Sequence, residues 1–257
     1  MGPSVAAASG PLRSQAVLLM LWSAPRSRST AFFRMMIERG DFTGVHEPFS
    51  YLAEFGYTEV GSVRVTSVPG LIAALGSVAR ERPVFAKETT GRRYPEVLAS
   101  PAFLARDAVH TFLIRHPAET IRSYLAISPD APQEKIGFES QYEVYAAVAR
   151  AAGRAPVVID SADLVRRPAD TVRAYCAATG IGFRPEALRW QPSGRPEWEP
   201  SRAWHTDVAE SSGFRPPAGG PGPALRTGER EHPAAAAYLA YHLPFYRRLH
   251  AQRLVIG

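Results

Sequence analysis

The sequence predicts an α/β fold in which a central, mostly parallel sheet lies between layers of helices. Short apolar runs at 16–22, 83–87, 108–114 and 156–160 alternate with segments of helical spacing, the pattern of strand–helix–strand units. Charged and hydroxyl residues gather directly after two of these runs, at the edge where open parallel sheets bind ligands. The 257 residues, 46% of them hydrophobic, suffice to bury one large core.

Residues 1–14 are small and polar and are expected to form a flexible N-terminus before a single domain over 15–257. Ala16–Trp22 reads as a buried strand, and Phe32, Met35 and Met36 share one face of the helix behind it. A short strand follows at Phe42–Val45, then a helix over Leu71–Glu81 and a strand at Pro83–Lys87. Tyr94–Leu104 reads as a helix and Ala108–Ile114 as a strand. Helices over Ala118–Ile127 and Phe138–Ala152 precede a strand at Pro156–Asp160. Asp163–Arg166 and Pro168–Thr179 are predicted helical, with Gly180 and Gly182 ending the second. The segment 184–230 is rich in Pro, Gly and Arg, with a helical stretch over 201–210, and its length suggests a lid. His232–Leu249 closes the chain as a helix kinked near Pro244.

Between the first strand and first helix lies Ser23-Ala-Pro-Arg-Ser-Arg-Ser-Thr30. A strand, a hydroxyl-rich loop and a helix N-terminus make an anion cradle, because free backbone N–H groups and the positive helix end face whatever sits there. Arg26 and Arg28 add fork-shaped donors suited to phosphate or sulfate oxygens. The loop has no glycine and no lysine, so it is not a Walker A loop. The plainer use of the same residues is a strand-to-helix connection with an N-cap serine. A second constellation, Arg115-His-Pro-Ala-Glu-Thr-Ile-Arg-Ser123, follows the Ala108–Ile114 strand. Pro117 suits a first helical turn, and Ser123 lies about two turns along. Arg115 and Ser123 can then converge on one phosphate, or Arg115 can simply pair with a nearby carboxylate.

Pro25-Arg26-Ser27-Arg28-Ser29-Thr30 resembles the 5′-phosphosulfate loop of sulfotransferases, and Arg115 with Ser123 resembles their site for the donor's 3′-phosphate. Thr43-Gly-Val-His-Glu-Pro-Phe49 is similar to the segment of carbohydrate-type sulfotransferases whose glutamate lies near the acceptor. Trp204–Phe214 resembles the segment leading to a Ser/Thr-Gly-Phe loop beside the donor, which makes Ser212, Gly213 and Phe214 candidate donor contacts. The resemblance spans Val17 to Phe214. It implies a P-loop-like fold, 3′-phosphoadenosine 5′-phosphosulfate as co-substrate, 3′-phosphoadenosine 5′-phosphate (PAP) as product, and in-line displacement without a metal. Arg26, Ser27, Arg28, Ser29 and Thr30 would hold the 5′ side of the donor.

Sulfuryl transfer, treated by analogy with phosphoryl transfer, needs positioning and charge stabilisation. Arg26 and the helix N–H groups behind Ser29 and Thr30 are candidates to stabilise the leaving phosphate. Lys87, at the end of a predicted strand, is a candidate to cover the transferring group or else a surface lysine. Glu47 and His46 are the candidate bases; the resemblance favours Glu47, while His46 has the better intrinsic pKa. His116 is expected to orient its loop, and Trp190, Trp198 and Trp204 to line an acceptor pocket or pin a long loop.

The formal charge is +6, and 28 of the 30 basic residues are arginine, which suits a polyanionic ligand. No Lys/Arg run, zinc spacing or aromatic RNA-binding signature argues for nucleic acid. The single Cys176 allows no intrachain disulfide, and no secretory leader or membrane-length apolar run is read, so a cytoplasmic protein acting on a small-molecule acceptor is expected. Scattered histidines and the lack of H-E-x-x-H or a Cys pair give no metal pattern. The rival readings are a nucleotide-dependent kinase, for which Asp160 would be the magnesium ligand, and a non-catalytic nucleotide-binding protein. With two lysines, a pyridoxal-phosphate enzyme is remote.

Overall fold

The computed structural model describes residues 17–214 and 232–257. The expected flexible N-terminus, and the part of the expected lid from 215 to 230, lie outside the described residues. Five parallel strands form the central sheet: β1 (Leu18–Ser23), β2 (Thr43–His46), β5 (Val84–Thr89), β6 (Val109–Ile114) and β7 (Val157–Asp160). Their order is β2-β5-β1-β6-β7, so β1 lies in the middle.

Because strand side chains alternate, β1 feeds two cores. Leu18, Met20 and Trp22 enter one, with residues of α3 (Val68–Glu81), α5 (Pro117–Leu125), α6 (Phe138–Ala152) and α10 (Ala235–His250). Leu19 and Leu21 enter the other, with Phe32, Phe33, Met35 and Met36 of α1 (Ser29–Glu38) and Val172, Tyr175 and Cys176 of α8 (Pro168–Thr179). A strand buried on both faces reads as a continuous apolar run, which is why β1 shows no alternation in sequence.

Several elements were not foreseen, among them short 3₁₀ turns at Gln133–Ile136 and Pro185–Leu188. The helix α2 (Pro48–Phe55) follows β2, and a hairpin of β3 (Thr58–Val60) and β4 (Val63–Val65) stands apart from the main sheet. The expected helix over Tyr94–Leu104 instead splits into α4 (Pro95–Leu98) and a π-helical turn at Phe103–Asp107. Pro101 lies between them and cannot donate the hydrogen bond a continuous helix requires. α7 (Ser161–Arg166) follows β7 directly. A 3₁₀ segment (Pro196–Trp204) and α9 (Thr206–Ala209) occupy the predicted helical stretch before the lid loop. α10 runs on through Pro244, where the kink was expected.

Candidate active site

A cavity of about 850 Å³ opens at the carboxyl edge of β1, β5 and β6. That size lies within the roughly 300–1,000 Å³ typical of small-molecule sites. Pro25–Thr30, Glu47, Lys87, Arg115 and Ser123 all line it, so the two predicted constellations share one space. Among the described residues, the only non-glycine residues with left-handed backbone are Arg26, Arg28 and Glu47, at φ 63°, 67° and 43°. All three line this cavity. Such conformations cost roughly 1–3 kcal/mol each and concentrate at functional sites.

The loop after β1 is held from several sides. Arg115 donates from Nη1 to the Arg26 carbonyl at 2.8 Å and pairs with Glu119 through Nε and Nη2. Arg26 donates from Nε to Ser123 Oγ at 2.9 Å, from Nη1 to the Trp204 carbonyl at 2.5 Å and from Nη2 to Asp207 at 3.2 Å. Arg28 donates to Ser161 Oγ at 3.3 Å and lies 3.7 Å from Glu119. Burial, with the charge of Arg115 nearby, lowers the Arg28 pKa to about 10, and burial also lowers that of Arg26. Arg28 stays charged at neutral pH, and an anion here would relieve the repulsion that Arg115 exerts on both arginines. No side chain caps α1, and Ser27 buries a hydroxyl that has no partner. The start of α1 therefore keeps free donors for a phosphate or sulfate group. These residues fit the bisphosphate donor that the sequence suggested, although Arg115 is already partly neutralised by Glu119.

Glu47, which also lines the cavity, precedes α2 and donates its backbone N–H to the Lys87 carbonyl at 2.7 Å. Its Oε1 accepts from the Lys87 ammonium. Lys87 is 1% exposed, so it is a site lysine and not a surface one. α2 turns one face to the cavity, with Ser50, Tyr51, Glu54 and Phe55 at helical spacing behind Glu47. Glu88, fully buried next to Lys87, accepts from the Phe49 N–H at 2.8 Å and the Ser50 N–H at 3.2 Å, and so caps the start of α2. Burial, aided by the nearby Glu47 charge, raises its pKa to about 7.

His46 does not reach the cavity wall. Its Nδ1 is hydrogen-bonded to Tyr51 Oη at 2.9 Å, and its buried Nε2 has no hydrogen-bond partner, 3.8 Å from Glu47 Oε1. Burial, with Lys87 and His205 nearby, holds its pKa well below the usual imidazole value. The advantage expected of its intrinsic pKa is thus cancelled by its surroundings. The histidines are also less scattered than the sequence implied: donor atoms of His46, Glu47 and His205 lie within 4.8 Å of one another. Lys87 holds the carboxylate, however, and hydroxyls engage both His205 nitrogens, Thr30 at 3.2 Å and Ser201 at 3.1 Å. The cluster is a hydrogen-bonded one with a cation already in it.

Other predicted residues divide. Gly213 and Phe214 line the cavity; Ser212 does not, and its carbonyl accepts the Trp190 N–H. Phe214 packs edge-on against Trp190, with ring centroids 5.5 Å apart. Of the three tryptophans only Trp204 lines the cavity; Trp190 and Trp198 are buried in the core beside α1. His116 caps α5 by accepting the Ala118 N–H. Asp160 caps α7, hydrogen-bonds Tyr246 and is absent from the cavity wall, which removes the aspartate a magnesium-dependent kinase would need there. Tyr51 and Ser201 carry no motif signal, and His205 lies in the Trp204–Phe214 segment without standing out there; only Pro48, a helix-start residue three positions before Tyr51, hinted that α2 would turn a face inward.

The sulfotransferase domain family model matches residues 17–253. Two Arabidopsis thaliana proteins named branched-chain-amino-acid aminotransferase-like protein 1 and 2 are 30% and 28% identical over 210 residues, covering 76% of this chain. The chain spans only 36% of the length of each. The sulfotransferase domain from the curacin biosynthetic pathway superposes with a TM-score of 0.52 at 14% identity, covering 89% of this chain and 97% of that one. A sulfotransferase from Alicyclobacillus acidocaldarius gives 0.52 at 13% identity, covering 93% and 97%. Among the described residues no helix is long and apolar enough to cross a membrane. With the family model covering almost the whole chain, the chain belongs to the sulfotransferase domain family.

Proposed function

We propose that this chain transfers a sulfuryl group from 3′-phosphoadenosine 5′-phosphosulfate to a hydroxyl or amine of a small molecule. The observation that carries the reading is that the Pro25–Thr30 loop and Glu47 line one cavity. Arg26, Ser27, Arg28, Ser29 and Thr30 would hold the 5′ side of the donor and Arg115 with Ser123 its 3′-phosphate. Bound there, the donor supplies the sulfuryl group. Glu47 takes the acceptor's proton, and Lys87 keeps that carboxylate aimed. Arg26 and the N–H groups opening α1 offset the charge left on the departing phosphate. The segment from Ser201 to Phe214 forms a wall that we read as the near part of a lid. The aminotransferase in the names of the Arabidopsis relatives belongs to proteins of which this chain matches about a third.

The test is thermal stabilisation by PAP beside magnesium-ATP, on the wild type and Arg115→Ala. A ligand that binds the folded state alone raises the melting temperature by mass action. The expected result is a rise with PAP that shrinks in Arg115→Ala. A rise with magnesium-ATP alone would overturn the reading in favour of a kinase.

A further inference from the structure

Between the donor loop and Glu47 runs an unbroken line of neutral polar side chains. Thr30 Oγ1 is 3.2 Å from His205 Nδ1; His205 Nε2 is 3.1 Å from Ser201 Oγ; Ser201 Oγ is 2.8 Å from Tyr51 Oη; and Tyr51 Oη is 2.9 Å from His46 Nδ1. The line ends at His46 Nε2, buried, unpartnered and 3.8 Å from Glu47 Oε1. We propose that these five residues are positioning residues whose hydrogen bonds all reverse direction when an anion occupies the donor loop, so that Glu47 senses the donor. The proposal rests on the donor site assigned above.

A neutral imidazole has one N–H and one lone pair, and a hydroxyl has a single proton to give. Burial, reinforced by the charge of Lys87, keeps both rings neutral: it brings His205 to about 3 and holds His46 well below its usual value. The line therefore has two self-consistent states. In one, Thr30 donates to His205, His205 to Ser201, Ser201 to Tyr51 and Tyr51 to His46, which leaves the His46 Nε2–H facing the Glu47 carboxylate. In the other every bond is reversed and His46 Nε2 carries a bare lone pair. An anion at the start of α1 accepts the Thr30 proton, and Thr30 must then accept from His205. That selects the second state. Both states hold the same protons: every hydroxyl keeps one and turns, and each imidazole changes tautomer by giving a proton to solvent from one nitrogen and taking one from solvent at the other, so no net charge moves.

The consequence is felt at Glu47. Losing an N–H that faces its carboxylate makes the Glu47–His46 pair bind a proton more readily, as a base awaiting a substrate proton should. The groups facing this pair are Lys87 and Glu88 from β5, Tyr51 from α2, Tyr94 ahead of α4, and His205, itself near Arg26. By linkage, PAP binding and proton uptake by the pair then favour each other.

Calorimetric titration of PAP reads this without any acceptor. It is run across about pH 4 to 8, which spans the carboxylate and imidazole ranges, and in two buffers of different ionisation enthalpy. PAP phosphates titrate too, but equally in every variant. The wild type is expected to take up more protons on binding than Tyr51→Phe. Its affinity should also fall more steeply as pH rises, by an extra factor of about three across the titration of the pair. Ser201→Ala and the Tyr51→Phe/Ser201→Ala double variant should match Tyr51→Phe, because links in series do not add. Separate or additive changes, or equal proton uptake in the wild type and all variants, would overturn the proposal. No PAP binding by the wild type would overturn the donor site itself.

Discussion

At the scale of single residues the site is governed by surroundings more than by residue type. Histidine has the pKa suited to a base, yet His46 sits fully enclosed near an ammonium and loses that property, while Glu47 keeps access to the cavity. Glu47→Gln is accordingly expected to lower turnover by about 10²- to 10⁴-fold, the usual worth of a general base. PAP affinity should change by no more than the factor of about three carried by its coupling to the Glu47–His46 pair, because the Glu47 carboxylate is held by Lys87 and not by the anion loop. Single-turnover kinetics beside PAP titration separates the two. A variant that kept wild-type turnover would remove Glu47 from the base role. Lys87 illustrates the same rule. From sequence it reads equally as a surface lysine, and only the packing of β2 against β5 buries it beside Glu47.

At the scale of elements, two junctions set the geometry. Gly137, at φ +86° before α6, packs its Cα against the Thr90 backbone and Pro25. A Cβ there would lie 2.5 Å from the Thr90 carbonyl oxygen and 3.0 Å from Pro25. Gly137→Ala therefore combines left-handed strain with a backbone clash, and a loss of about 2 kcal/mol or more is expected. Because Pro25 opens the donor loop, PAP affinity should fall as well; denaturant unfolding and a PAP titration would measure both. The second junction is the start of α2, capped by Glu88. Its folded pKa, about 7, is above the unfolded carboxylate value. The folded state thus holds the extra proton, and this contribution to stability is fully present below about pH 4 and lost as pH rises to 7. Glu88→Gln should remove that decline, seen as a flatter stability curve between pH 4 and 7 in urea titrations. An unchanged slope would contradict the raised pKa of Glu88.

For the whole molecule the opposing trend is larger in number. Burial depresses His46, brings His110 to about 4 and brings His205 to about 3. The unfolded chain binds these protons more readily, so stability is present above about pH 6.5 and is lost as pH falls towards the folded values. With His242, also lowered by burial, four such groups outweigh Glu88 and Asp160, whose carboxyls burial raises, and the protein should destabilise on acidification below about pH 6.5. His110 is far from the cavity: it accepts from the Trp22 indole N–H at 3.0 Å and lies in the core. His110→Gln, which keeps an acceptor there, should weaken the acid sensitivity without altering PAP binding; thermal melts at several pH values would show it.

What was legible in the sequence is what local chemistry writes. Apolar runs marked β1, β5, β6 and β7, because a strand covered on both faces tolerates little else. The hydroxyl- and arginine-rich loop after β1 and the Arg115–Ser123 spacing marked the anion site, because a helix start after a strand presents N–H groups to whatever lies there. The hairpin left no comparable mark: its strands are three residues each, too short for a period to emerge. Nor did the left-handed backbone of Arg26, Arg28 and Glu47, which no residue type announces as glycine would. The tertiary structure alone decided which base faces the cavity, which tryptophan lines it and which partners surround Lys87. It also joined Thr30 to a histidine 175 residues away. Those outcomes depend on burial and on contacts between distant segments, and both exist only once the two faces of the sheet have been covered.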